Sequence, residues 1–177
     1  MFSNRLTYNS LCERMYFVRI IVMSDSHGDI FAVRDIIKRN RNADMFIHLG
    51  DGENEVNALR AEFPDNIIRH VAGNCDYCSL SPQTDIIVAD NGVKIFCAHG
   101  HRHFVKGGTE IIRSVAKDNG CTIVLFGHTH CRYSSYEDGM YIMNPGSCSR
   151  PRDGKSPSFG VIEITDKGIL TNITDLT

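Results

Sequence analysis

"VRIIVMSDSHGDIFAVRDIIKRN", residues 18–40, joins a β-branched apolar run to a short polar loop and then to an apolar repeat of helical period. Residues 18–23 have the length and composition of a buried strand. The loop ends at Asp29, a residue able to cap a helix, and Ile30, Val33, Ile36 and Ile37 then recur at helical spacing. Lys38, Arg39 and Arg41 fall where cations complement a helix C-terminus, so they read as helix-end solvation rather than a nucleic-acid patch.

The same rhythm repeats outward from this stretch. "MFIHLG" at 45–50 reads as a second strand, followed by a helix with Val56, Leu59 and Phe63 on one face that stops before Pro64. "IIRHVA" at 67–72 is a third strand. Strand, helix, strand, helix, strand is the pattern of a largely parallel sheet covered by helices. Beyond it, "TDIIVADNGVKIFCAHGHRH" reads as two strands joined across Asn91-Gly92. A helix over about 108–119 follows, with Ile111, Ile112, Val115 and Ala116 expected on its buried side and Gly120 as its stop. "TIVLFG", "RYSSYE", "MYIMN", "FGVIEIT" and "ILTNIT" complete a strand-rich, hairpin-rich tail. The expectation is an α/β protein of two packed sheets with helices outside them.

The 177 residues suffice for one sizeable core. With 42% hydrophobic and 23% charged residues, the composition is that of an ordinary globular protein. A net charge of −2 gives no global reason to bind long nucleic acid or an anionic membrane. The apolar runs are strand-sized, short of the ~20 residues that span a bilayer. Residues 1–14 lack the apolar core of a secretory signal and show no clear period; they are expected to be a flexible extension, with residues 15–177 forming one domain. Seven cysteines without framework spacing fit reduced thiols, hence a cytoplasmic protein. The one close pair, Cys75 and Cys78, lacks the partner pair that a zinc site requires.

The chemistry collects at the strand ends. Asp25 and His27 follow the first strand, Asp51 the second, Asn74 the third, His99 the hairpin, and His128 and His130 the strand after it. Ligands of open α/β sheets bind outside the carboxyl ends of strands, so these seven should converge. Each is weak alone, since Asp, Asn and Gly at strand ends are ordinary turn chemistry. Two Asp, one Asn and four His without a thiolate favour a borderline divalent ion: Mn²⁺, Fe²⁺, Co²⁺, Ni²⁺ or Zn²⁺. Seven ligands exceed one tetrahedral site and suffice for two open sites sharing a carboxylate, a positive centre for a phosphoryl group. His48 and His70 lie inside strands and are expected to be buried or to support ligands rather than to bind.

"DSHGD", "LGD", "GNCD", "AHGH" and "GHTH", followed by "NPGS", resemble the successive motifs of the calcineurin-like metallophosphoesterase superfamily, most closely its small YfcE-like phosphodiesterase group. The resemblance implies a four-layer α/β/β/α sandwich of two mixed β-sheets flanked by helices. It implies two divalent ions, Mn²⁺ favoured, one on Asp25, His27 and His130 and the other on Asn74, His99 and His128, with Asp51 bridging. It further implies in-line attack on phosphorus by a metal-bridging hydroxide, with Asp51, Asn74 and His99 catalytic. The substrate would be a small phosphodiester or nucleotide-like molecule, and self-association is left open. Cys75, His101 and Arg152 are the expected substrate contacts, Arg152 with Arg150 and Lys155 in the basic loop after "NPGS". The superfamily's phosphoprotein phosphatases carry histidine where this chain has Cys75, and a thiol is a poor general acid near neutral pH. That favours diesters with good leaving groups. The alternative is a catalytically silent scaffold of the same fold, like the retromer subunit.

Overall fold

The computed structural model describes residues 17–89 and 91–176. Residues 1–14 and Met15 lie outside them. The first sheet has the order β10-β9-β1-β2-β3, built from β1 (Phe17–Met23), β2 (Met45–His48), β3 (Ile68–His70), β9 (Ser158–Thr165) and β10 (Gly168–Asp175). The second has the order β4-β5-β6-β8-β7, from β4 (Thr84–Val88), β5 (Lys94–Ala98), β6 (Ile123–Leu125), β7 (Arg132–Glu137) and β8 (Met140–Pro145). Three α-helices, α1 (Ile30–Arg39), α2 (Glu53–Glu62) and α3 (Glu110–Asp118), complete the described architecture, with a short 3₁₀ turn at His101–His103.

Alternation along the strands sorts side chains into three apolar layers. Ile20 and Val22 of β1 meet Ile95, Ile123 and Leu125 between the two sheets. Their neighbours Ile21 and Met23 face the other way, onto Val33, Ile36 and Ile37 of α1 and Val56 and Leu59 of α2. On the far side Phe96, Val124 and Ile142 pack under Ile112 and Ala116 of α3. Each fully buried Ile or Val contributes ~1.5–3 kcal/mol, and a one-residue slip of β1 would exchange the residues of the two layers and misfit both at once. This is the expected α/β/β/α sandwich.

The helix signals hold locally. The Asp29 carboxylate accepts from Ala32 N at 3.0 Å, as a cap should. Helix α3 is shorter than expected, starting after Thr109, and Ile111 is half exposed rather than buried. Ile112 and Ala116, four residues apart, take the sheet-facing line, and Ile111, ~100° round from Ile112, falls on the flank. The Asn91-Gly92 hairpin is present, closed by Ala89 N to Val93 O at 2.9 Å.

Long-range pairing differs from the simple head-and-tail picture. In the second sheet β5, β6 and β8 run parallel, with hairpins only at its edges. The C-terminal β9–β10 hairpin crosses back to pair β9 antiparallel with β1. Both sheets therefore deliver parallel strand ends to one edge of the sandwich, where Asp25 N donates to Gly50 O at 3.1 Å and Gly127 N to His99 O at 3.0 Å.

Candidate active site

Five of the seven strand-end residues hold the left-handed backbone that non-glycine residues rarely adopt: Asp25 (φ 55°), His27 (45°), Asp51 (58°), His128 (66°) and His130 (59°). Such residues cost on the order of 1–3 kcal/mol each and persist where the surroundings over-determine them. Sharp turns directly after each strand aim the side chains back over the strand ends. Adjacent glycines give them room. A Cβ on Gly73 would stand 2.1 Å from Asp51 Oδ1, and one on Gly127 1.9 Å from Ser24 Oγ.

The side chains converge on two carboxylates. Asp51 Oδ2 lies 3.7 Å from His27 Nε2 and 3.5 Å from His99 Nε2, between the two imidazoles. Asp25 Oδ1 is 3.2 Å from His130 Nε2 and 3.9 Å from His27 Nε2. Asn74 Oδ1 is 3.1 Å from His99 Nε2, and the His128 ring stands edge-on to that of His99 at 5.1 Å between centroids. Asp25, His27 and His130 form one cluster with metal-ligand spacing, Asp25, Asp51 and His99 another, and His27, Asp51 and Cys75 a third. The structure thus brings all seven expected residues to one place, with the Cys75 thiol beside them.

Backbone carbonyls set the direction of two imidazoles. His99 Nδ1 donates to Leu49 O and His130 Nδ1 to Arg150 O, both at 2.7 Å. In the neutral Nδ1–H tautomer each Nε2 faces inward as a lone pair, the form a metal needs. Burial pushes His128 down to about 4, helped by the nearby imidazole of His99, and lowers His27 against the pull of Asp51. Burial opposes charge on His130 too, but Asp25 overcomes it and raises that imidazole. The Asp25 carboxyl, although burial alone would lift it, is held below the usual range by His130, His99 and Ser24.

One atom tests whether these residues fit a cation. Asp25 Oδ1 is buried without a hydrogen bond, whereas Oδ2 accepts from Ser24 Oγ at 2.6 Å and His128 N at 3.1 Å. An unbonded buried carboxylate oxygen ringed by imidazole nitrogens is costly for the apoprotein and apt for a metal. The mixed oxygen and nitrogen donors suit a borderline divalent ion.

The supports of this centre were not read from the sequence. Asp76 accepts four backbone N–H groups, from Asp51 and Gly73 on Oδ2 at 2.8 Å and from Gly52 and Glu53 on Oδ1 at 2.9 Å. It clamps the loop after β2 to the loop after β3. Glu55 is buried on α2, where Oε1 accepts from Ser26 Oγ and Gly28 N at 2.7 Å. Ser26 Oγ in turn meets His48 Nε2 at 3.1 Å; burial takes His48 down to about 3 and keeps it neutral. His48 and His70 are both buried, as expected of strand-interior histidines. Asn144 of "NPGS" holds the His128–His130 turn, donating to Gly127 O at 2.8 Å and Thr129 Oγ1 at 2.9 Å.

A cleft of about 390 Å³ opens on the centre, lined by His27, Asp51, Cys75, Tyr77 and Arg150 among others. Burial and the Asp51 carboxylate push the Cys75 thiol up to about 11. Cys75 and Cys78 are both free. Arg150 Nη2 donates to His27 O at 3.2 Å, so Arg150 borders this cleft, whereas Arg152 lines a separate one. His101 sits in the 3₁₀ turn, its ring 5.4 Å from that of His99 and 6.1 Å from that of His128.

The chain is similar to known proteins along most of its length. A probable metallophosphoesterase of Bacillus subtilis, YsnB, is 28% identical over 159 residues, covering 89% of this chain and 91% of its own. The Escherichia coli K12 phosphodiesterase YfcE is 23% identical, covering 88% of this chain and 97% of its own. The crystal structure of a conserved Streptococcus pneumoniae protein described as a predicted phosphoesterase superposes with a TM-score of 0.80, at 29% identity and 91% coverage of both chains. The family model of the calcineurin-like phosphoesterase superfamily domain matches residues 18–167. That match begins inside β1, takes in all seven strand-end residues and ends in the β9–β10 turn, and the chain belongs to the calcineurin-like phosphoesterase superfamily.

Proposed function

We propose that the chain is a phosphodiesterase that works with two divalent ions, Mn²⁺ favoured. Asp25, His27 and His130 would hold one ion and Asn74, His99 and His128 the other, with Asp51 shared. The observation that carries this reading is the position of Asp51 Oδ2, 3.7 Å from His27 Nε2 and 3.5 Å from His99 Nε2, next to the unbonded Asp25 Oδ1. When bound, two such ions lower the pKa of a water and offset charge on a phosphoryl group.

The chain's own residues supply the rest. Leu49 O and Arg150 O keep His99 and His130 presenting Nε2. Asn74 offers Oδ1 as a ligand and keeps an Nδ2–H, now on Cys75 Sγ at 3.2 Å, to turn toward a phosphoryl oxygen. Arg150 at the cleft rim adds a guanidinium suited to phosphate. No imidazole stands at position 75 to protonate a leaving alkoxide, which supports diesters with stable leaving groups over alkyl monoesters. The same reading places the protein in the cytoplasm, supported by six free cysteines among the described residues.

The test is turnover of a chromogenic phosphodiester and its monoester by purified protein, with each of Mn²⁺, Zn²⁺, Co²⁺ and Ni²⁺. Diester turnover exceeding monoester turnover is expected. Absence of turnover with every ion would move the chain to the scaffold class.

A further inference from the structure

Two clefts flank the strand-end centre, and their chemistry differs. The first is acidic: Asp51, Glu53, Glu55 and Asp76 line it, against the single guanidinium of Arg150. The second, about 660 Å³, starts at Thr129, the residue between His128 and His130. Tyr133 lines it, backed by the buried Phe126 with ring centroids 6.0 Å apart, and Lys106, Arg132 and Arg152 supply three cations against one carboxylate, Glu110.

The cations are not equivalent. Arg132 is committed to the fold, donating to Ser156 O and pairing with Asp175 Oδ1 at 2.6 Å. Lys106 Nζ and the Arg152 guanidinium are exposed and make no hydrogen bond or ion pair within the described residues. Arg152 N donates to His130 O at 3.0 Å, and Lys106 lines the cleft together with Thr129.

We infer that the second cleft holds a nucleotide-sized arm of the substrate, its planar ring against Tyr133 and its own phosphate on Lys106 and Arg152. The inference rests on the phosphodiesterase reading and narrows it to diesters that carry a phosphorylated nucleoside on one side, such as a short 5′-phosphorylated oligonucleotide. The volume lies within the ~300–1,000 Å³ of small-molecule sites. Aromatic side chains accept any base by stacking, and a guanidinium holds phosphate through paired N–H donors. Three cations against one carboxylate favour such an anionic arm in the second cleft.

Three diesters separate the possibilities: the thymidine dinucleotide pTpT with its 5′-phosphate, TpT without it, and bis(p-nitrophenyl) phosphate. With Mn²⁺-loaded protein the KM for pTpT should be lower than for TpT by about tenfold or more. The double variant Lys106→Ala/Arg152→Ala should lose that difference, its metal content and melting temperature reporting that the centre is intact. Independently of turnover, thymidine 5′-monophosphate added to the protein should shift the amide resonances of Gly107, Gly108 and Thr129. Turnover of bis(p-nitrophenyl) phosphate with equal KM for pTpT and TpT, or with neither dinucleotide cleaved, overturns the cleft assignment and leaves the phosphodiesterase reading standing. Shifts confined to Gly52 and Glu53 overturn it as well. No diester turnover at all, with shifts at the second cleft, overturns the phosphodiesterase reading and keeps the nucleotide cleft.

Discussion

Replacing Asp76 by asparagine keeps the side chain's size and removes half of its acceptors. In the native protein the two carboxylate oxygens take four backbone N–H groups, three from the loop after β2 and one from the loop after β3. The amide of asparagine has one oxygen, so two of these N–H groups lose their acceptor and face an NH₂ donor. Hydrogen bonds to a charged group contribute ~1.5–3 kcal/mol each. The side chain is only 5% exposed, so water cannot replace the missing oxygen without loop movement. Allowing for that movement, the loss is about 3 kcal/mol, a fall in melting temperature of roughly 6–12 °C for a domain of this size. The clamp also fixes Asp51 and Asn74, and outer supports of this kind typically carry ~10–100-fold in metal affinity. Asp76→Asn should therefore show both effects together in thermal unfolding at pH 7 and in metal titration. A melting temperature within about 2 °C of native, with unchanged metal affinity, would refute the clamp.

Three further outcomes are expected. Asp51→Asn should lower bound metal at both positions, whereas His130→Ala should lower it at one, read as metal per chain after desalting; two ions retained in Asp51→Asn would remove Asp51 from its shared role. Gly127→Ala would put a Cβ 1.9 Å from Ser24 Oγ and 2.8 Å from Asp25 Oδ2, costing ~1–3 kcal/mol by overpacking in urea unfolding, and an unchanged midpoint would show that the approach is not tight. Cys75→His should raise kcat/KM for alkyl phosphates by up to ~10²–10⁴-fold and change p-nitrophenyl esters much less, since protonation helps only the poor leaving group; equal gains on both would rule out leaving-group protonation.

Much of the fold is legible because its signals are local. The β-branched run at 18–23, the Asp29 cap and the Asn91-Gly92 turn each act within a few residues, and each appears where the sequence places it. What is not legible is pairing across distance. Nothing around Ser158–Thr165 marks it as the neighbour of β1, because an edge or central place in a sheet is decided by which apolar faces remain to be covered. Ile111 shows the same limit on a helix, where the periodicity admits a stripe one residue too wide.

The site divides in the same way. Its seven inward-facing residues are legible because polar groups directly after apolar strands have no packing role, and the turns that carry them are short. Their supports are not. Leu49 O and Arg150 O are backbone atoms that any residue would provide, and Asp76 looks like one more turn aspartate until the amides of Asp51, Gly52, Glu53 and Gly73 are seen around it. Arg150 and Arg152 differ by two positions and face different clefts, a distinction set by the path of the loop rather than by residue type.

The central claim is that two ions, joined through Asp51, act together on a phosphodiester. Titration of the metal-stripped protein with Mn²⁺, following turnover of bis(p-nitrophenyl) phosphate, tests it most directly. The account predicts no turnover in chelator and a rise that levels off at two equivalents per chain. Full activity in chelator, or a plateau at one equivalent, would contradict it.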